Sequence, residues 1–218
     1  MKTRSVLDKE LNQLRESLLT MAEMVTQALD GSIEALKAQD VDAAQAIIER
    51  DEALNKLRYK TEKLCVTMIA TQQPMASDLR TIIAGMHIAV EIERMGDHAA
   101  GIAKLVTEMA SEPLLKPLID IPRMAAIASS MLVDGIHAFM DGDIETAKAI
   151  VARDDEIDQL HDQIFRELLT YMLEDPRNIR RATYLLWVSH NLERIGDRAT
   201  NISERTVFAE TGKLKELA

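Results

Sequence analysis

Glu93-Arg94-Met95-Gly96-Asp97-His98-Ala99-Ala100-Gly101-Ile102 returns a hundred residues later as Glu193-Arg194-Ile195-Gly196-Asp197-Arg198-Ala199-Thr200-Asn201-Ile202, with six of ten positions identical. Both copies place Glu and Asp four residues apart. On a helix that spacing puts the two carboxylates on one face, about 40° apart around the axis. Like charges so placed repel by about 0.2–0.5 kcal/mol per pair on an exposed helix. Repeated repulsion in one local sequence points to a cation that relieves it.

A second set of polar side chains lies upstream of each copy. It is Asp154 and Asp158 in the second half and Asp51 and Asn55 at the matching places of the first. If Pro74 marks a turn between antiparallel helices, Asp51 lies 23 residues before it, and Glu93 and Asp97 lie 19 and 23 after it. Around Pro176, Asp154 and Asp158 lie 22 and 18 residues before, and Glu193 and Asp197 lie 17 and 21 after. Positions equally far from the turn of a helical hairpin face each other. Four oxygen ligands from two helices make a hard-cation site, open to iron, manganese, magnesium, calcium or zinc. Asn55 offers only a neutral amide oxygen, so the first site is the weaker on paper.

The competing reading is a solvated acidic face with Arg50, Arg94, Arg153 and Arg194 as counter-ions. Gly96 and Gly196 mark a close approach of another backbone or a bound group, because glycine inside a helix costs about 0.5–1 kcal/mol relative to alanine. Close helix packing without a ligand is the plainer account. His98 is matched by Arg198, so the repeat supports no shared ligand role there. His87 is matched by Trp187 and reads as a packing position. His137, His161 and His190 read as surface or half-buried residues, and Cys65 as a small core hydrophobe.

The elements that must hold these groups are helices. Leu11, Leu14, Leu18, Met21, Val25, Leu29, Ile33 and Leu36 recur every three or four residues, as do Ile150, Ile157, Leu160, Ile164, Leu168 and Met172. That is the mark of one buried helical stripe. The five prolines fall where helices end, with Pro113, Pro117 and Pro122 in a central linker. Asp40, Asp143 and Asp175 are N-cap candidates, the last followed by Pro176 at the first helical position. Six helices follow, over roughly 3–38, 41–71, 75–110, 119–140, 144–173 and 177–207. No stretch alternates with period two, so the chain is all-α.

The repeat extends beyond the decapeptide. Asp40-Val41-Asp42-Ala43-Ala44 aligns with Asp143-Ile144-Glu145-Thr146-Ala147, and Arg50-Asp51 with Arg153-Asp154, at a shift of 103. Past the prolines, Asp78-Leu79-Arg80 meets Asn178-Ile179-Arg180 at a shift of 100. Each half is three helices, giving two tandem three-helix bundles over residues 1–112 and 113–218. The period is too long for a solenoid repeat.

Composition narrows the role. The net charge of −10 opposes binding to nucleic acid and suits cations or a basic partner surface. Aromatic residues make up 3% of the chain, so aliphatic side chains and 12 Met must pack it. One cysteine permits no internal disulfide. No run of about 18 apolar residues spans a membrane, and the charged amino terminus does not read as a signal peptide, so the expected location is the cytoplasm. No serine elbow or phosphate-cradling glycine loop points to an enzyme.

With the doubled Glu-Arg-x-Gly-Asp signature, Asp-Leu-Arg before its first copy and six helices in two halves, the chain resembles the PhoU family over nearly its whole length. That resemblance implies a cytoplasmic negative regulator of phosphate uptake and of the phosphate-starvation response. It would be an adaptor between the ATPase of a phosphate ABC transporter and a sensor histidine kinase, and a homodimer. It also implies metal clusters on the paired acidic motifs. One would use Glu93 and Asp97 with Asp51, and Asn55 where the pattern has an acid; the other would use Glu193 and Asp197 with Asp154 and Asp158. The alternative is a helical di-metal oxidase or metal-storage protein. That chemistry draws on Glu-x-x-His motifs, and no Glu here has a His three residues on. A metal-free dimerisation module is the third reading.

Overall fold

The computed structural model describes residues 2–213, with side chains from Val6 onward. Its six long helices are α1 (Lys2–Ala38), α2 (Val41–Gln72), α3 (Ser77–Met109), α4 (Asp120–Asp141), α5 (Ile144–Glu174) and α6 (Ile179–Thr211). No strand occurs among the described residues. The expected six-helix, all-α architecture in two three-helix halves is what the chain adopts, with ends shifted by up to four residues.

The caps explain where the helices start. Asp40 accepts from the Ala43 amide, and Asp143 accepts from the Glu145 and Thr146 amides, each neutralising an orphan donor of the first turn. The residue before each cap is left-handed, Gln39 at φ 52° and Gly142 at φ 67°. The same turn is thus built twice, once at the cost of forcing a glutamine to positive φ. Asp175 caps a single 3₁₀ turn, Pro176–Asn178, that precedes α6. Pro122, expected in the linker, instead lies within the first turn of α4. Its missing N–H costs nothing there, because first-turn amides have no helical acceptor.

The periodic stripes of α1 and α5 pack inward, and Leu18, Met21, Val25, Leu36, Ile164 and Leu168 are almost fully buried. One continuous aliphatic core joins both halves. Each such Leu, Ile or Met contributes about 1.5–3 kcal/mol on burial. The buried hydroxyls of Ser32, Thr61, Ser189, Ser203 and Thr206 donate to carbonyls of their own helices, so the core carries them without orphaned groups.

The halves meet mainly where α3 packs on α6. Glu91 lies 3.3 Å from Arg198, and the His98 ring nitrogen lies 3.0 Å from the Asn191 oxygen. Exchanging 91 for 191 and 98 for 198 turns one contact into the other. The two halves are therefore related by an approximate two-fold, with α3 and α6 antiparallel. This seam uses His98 and Arg198 as cross-half partners, which is why the repeat lets them differ.

Candidate functional site

Each half forms a helical hairpin, α2–α3 and α5–α6, and the glycine of each repeated motif lets its two helices close. A Cβ on Gly196 would stand 2.5 Å from Asp154 Oδ1 and 2.9 Å from Ile157 Cδ1. A Cβ on Gly96 would overlap Leu54 and stand 3.5 Å from Asp51 Oδ1. In both halves the glycine thus seats the opposing aspartate against the helix backbone. Helix packing and acid placement are one device here.

In the second half the predicted residues are close enough to act on one another's charge. Burial pushes the Asp154 carboxyl up to about 7, and the charges of Asp158, Asp197, Glu193 and Asp155 push it the same way. Asp158 and Glu193 are raised, first by burial and next by Asp197. The buried Glu193 Oε2 has the His190 ring nitrogen beside it at 3.3 Å, whereas Asp154 Oδ1 is buried and makes no hydrogen bond. A carboxylate oxygen so placed ordinarily finds a partner. Arg194 pairs with Asp197 at 3.0 Å, whereas Arg153 turns away to Asp134 at 2.6 Å. One arginine therefore serves four acids.

The first half differs. Asp51 and Glu93 are raised by burial foremost, with Asp97 adding to both. Asp97 itself is exposed. Asn55 spends its amide on Asp51 Oδ2 at 3.1 Å, so it holds an acid rather than replacing one. Arg58, which the sequence reading passed over, lies 3.0 Å from Glu93 and 2.9 Å from Glu62. The arginines named as counter-ions are not the ones that act: Arg94 sits 4.0 Å from Glu91, and no ion pair holds Arg50 among the described residues. This half already contains its cation.

His161 stands where Arg58 stands, 103 residues on. Its ring lies 6.3 Å from that of His190, and His190 Nδ1 is 3.3 Å from Glu193 Oε2. Both histidines are at the rim of the second acidic cluster, on surface or half-buried positions as expected but beside the site. Their spacing, Asp158-x-x-His161 and His190-x-x-Glu193, was the available signal. His87 and Trp187, expected to pack, are both exposed. The Tyr184 ring meets Trp187 edge-on at 5.8 Å, so the pair forms a surface feature. Cys65 is buried, and burial pushes its thiol up to about 12, which leaves it unreactive.

The residues fit a hard cation in the second half by donor type, by the orphaned buried oxygen of Asp154 and by their mutual repulsion. They fit it less well in the first, where Arg58 and the Asn55 amide relieve the same charge. Among the described residues no three His, Cys, Asp or Glu side chains converge into a ready cage. No described helix is long and apolar enough to cross a membrane.

An all-α chain of two related three-helix hairpin units, each centred on an acidic cluster, is the class that fold and site define. The PhoU domain model matches residues 18–106 and 121–206, segments that fall one in each half. The chain belongs to the PhoU family. It is 40% identical over 208 residues to the phosphate-specific transport system accessory protein PhoU homolog of Aquifex aeolicus, covering 95% of this chain and 94% of that one. The homolog of the same description in Clostridium acetobutylicum is 36% identical, covering 99% of both. The crystal structure of PhoU from Pseudomonas aeruginosa superposes with a TM-score of 0.90 at 31% identity, over 94% of this chain and 99% of that one. The phosphate transport system regulatory protein PhoU from Streptococcus pneumoniae superposes at 0.89, with 33% identity over 96% and 99%.

Proposed function

We propose that this chain is an accessory regulator of phosphate transport that works by docking rather than by catalysis. In this reading it is a cytoplasmic negative regulator, joins the transporter ATPase to a sensor histidine kinase, and does so as a homodimer. The full-length kinship to accessory proteins of phosphate transport supports the setting. The observation that carries the docking role is a surface on α5. Asp154, Asp158, Phe165, Leu169 and Leu173 follow one another at helical spacing, so a single face runs from the acidic cluster into exposed apolar side chains. Leu173 is 77% exposed and Ile179, across the turn, 50%. Exposed apolar side chains beside uncompensated charge suit an interface with a basic partner surface.

A divalent cation at Asp154, Asp158, Glu193 and Asp197 would supply positive charge that stiffens this face. A second, weaker one would use Asp51, Glu93 and Asp97 with Asn55. Iron, manganese, magnesium and zinc all suit oxygen donors of this kind.

A tagged copy drawn from phosphate-replete cells tests the docking role. The ATPase subunit and the kinase are expected to co-purify, and Leu173→Asp is expected to lose them while keeping its helix content. Recovery of neither partner, or full retention by the variant, would overturn it.

A further inference from the structure

A cleft of about 340 Å³ lies between α1, α2 and α3, within the range of small-ligand sites. Met24, Ala28, Ile47 and Leu54 give it apolar walls, and Gln27 and Arg50 bring donors to it. The second half contains the same position in closed form, because the repeat aligns 27, 28, 31 and 50 with 130, 131, 134 and 153. There Asp134 Oδ2 accepts from Arg153 at 2.6 Å and from Ser130 at 3.2 Å. Met131 fills the interior and is fully buried.

In the first half Arg50 keeps the guanidinium, Gln27 brings an amide where Ser130 has a hydroxyl, and the acceptor is gone. Gly31 replaces Asp134, and Ala28 replaces Met131. A carboxylate and a long apolar side chain are thus missing together, from positions three residues apart on α1. No hydrogen bond or ion pair engages Arg50 or Gln27 among the described residues. Asp51 also lines the cleft, but its Oδ2 is held by the Asn55 amide.

We propose that this cleft binds a small amphiphilic carboxylate, its head on Arg50 and Gln27 and its apolar body in the space that Met131 fills in the other half. The inference is independent of the regulatory role. The ligand restores what the duplicated half builds from its own side chains. Shared chemistry admits a free fatty-acid-like anion or an anionic lipid of a membrane, and the ligand meant is the free one.

The test is displacement of anilinonaphthalene sulfonate fluorescence from the intact chain by octanoate, octanol and phosphatidylglycerol vesicles. Octanoate should displace the dye saturably and octanol about tenfold less well, since only the acid meets the guanidinium. Arg50→Gln should weaken octanoate about tenfold, and Gly31→Asp should abolish its binding by recreating the closed arrangement. Arg50 is exposed, so its variant keeps the fold even if a Cβ at Gly31, 3.2 Å from Ile47 Cδ1, disturbs the packing. Arg153→Gln should leave octanoate binding unchanged. Equal displacement by octanol, an unchanged Arg50→Gln, or displacement by vesicles but not octanoate would overturn the proposal.

Discussion

The two acidic hairpins are copies that solve one electrostatic problem differently. Both seat an aspartate on a motif glycine, and both place a Glu and an Asp across from it. In the first, Arg58 lies among the acids and Asn55 donates to Asp51, so the cluster is partly neutralised by the chain itself. In the second, those positions are His161 and Asp158, and the buried Asp154 Oδ1 is left without a hydrogen bond. An internal cation gives stability that needs no ligand, whereas its absence leaves charge that an outside cation or partner can relieve. The pair shows how duplication lets one half become structural while the other keeps an unsatisfied site.

That contrast can be broken most directly at Arg58. Arg58→Ala leaves Glu93 unpaired and is expected to cost about 2–3 kcal/mol, below the range for a fully buried pair because water reaches its edge. Thermal unfolding in chelator measures it, and His161→Ala should cost far less. An equal loss at both positions would erase the difference between the halves. Gly96→Ala and Gly196→Ala should each cost about 1–3 kcal/mol by overpacking. The former should be the worse, since its Cβ overlaps the buried Leu54 most deeply, whereas on Gly196 the Cβ meets the Asp154 carboxylate at 2.5 Å and the tip of the buried Ile157 at 2.9 Å. Denaturant midpoints of the two variants decide this.

Metal content sharpens the contrast further. Glu193→Ala with Asp197→Ala should lower bound metal by about half or more with helix content intact. Asp158→Asn with His161→Arg, which writes the first half into the second, should weaken manganese affinity about tenfold by calorimetry, the factor that about 1.4 kcal/mol of lost attraction produces. Unchanged metal content in the first pair of substitutions would show that the second site is wrongly placed.

The smallest expected effect is in pH. The folded Asp154 carboxyl is raised to about 7 from the ordinary 3.8, so the folded state holds a proton that the unfolded chain releases earlier. Stability from this group is complete below the ordinary carboxylate range and is lost as pH rises through about 7. In chelator, the Tm should therefore be lower at about pH 8 than at about pH 5 through this group. Asp154→Asn should flatten that slope and raise the Tm at the higher pH by about 2–4 °C, the shift that about 1 kcal/mol causes at this size. A slope identical to that of the parent would remove Asp154 as its source.

Much of this molecule is readable along the chain because helix formation is governed by nearby residues. Prolines and cap residues delimited the six helices, apolar spacing traced the buried stripes of α1 and α5, and the repeated decapeptide disclosed the duplication and the acidic pairs. Counting residues from Pro74 and Pro176 brought the opposing carboxylates level, since rise per residue is constant in a helix. Which arginine pairs with which acid was not readable in that way. Arg50, Arg94 and Arg153 are near the acids in sequence, yet it is Arg58 that pairs with Glu93 in the first cluster, while Arg153 turns to Asp134 on another helix. A side chain's partner depends on packing among several helices and on the relative cost of burying each charge. The same holds for the open cleft, where the loss of two side chains on α1 matters only because α2 and α3 close around them. Local sequence determined the rods and their register; tertiary packing decided which charges are left unmet, because electrostatic neighbours are set by distance through space.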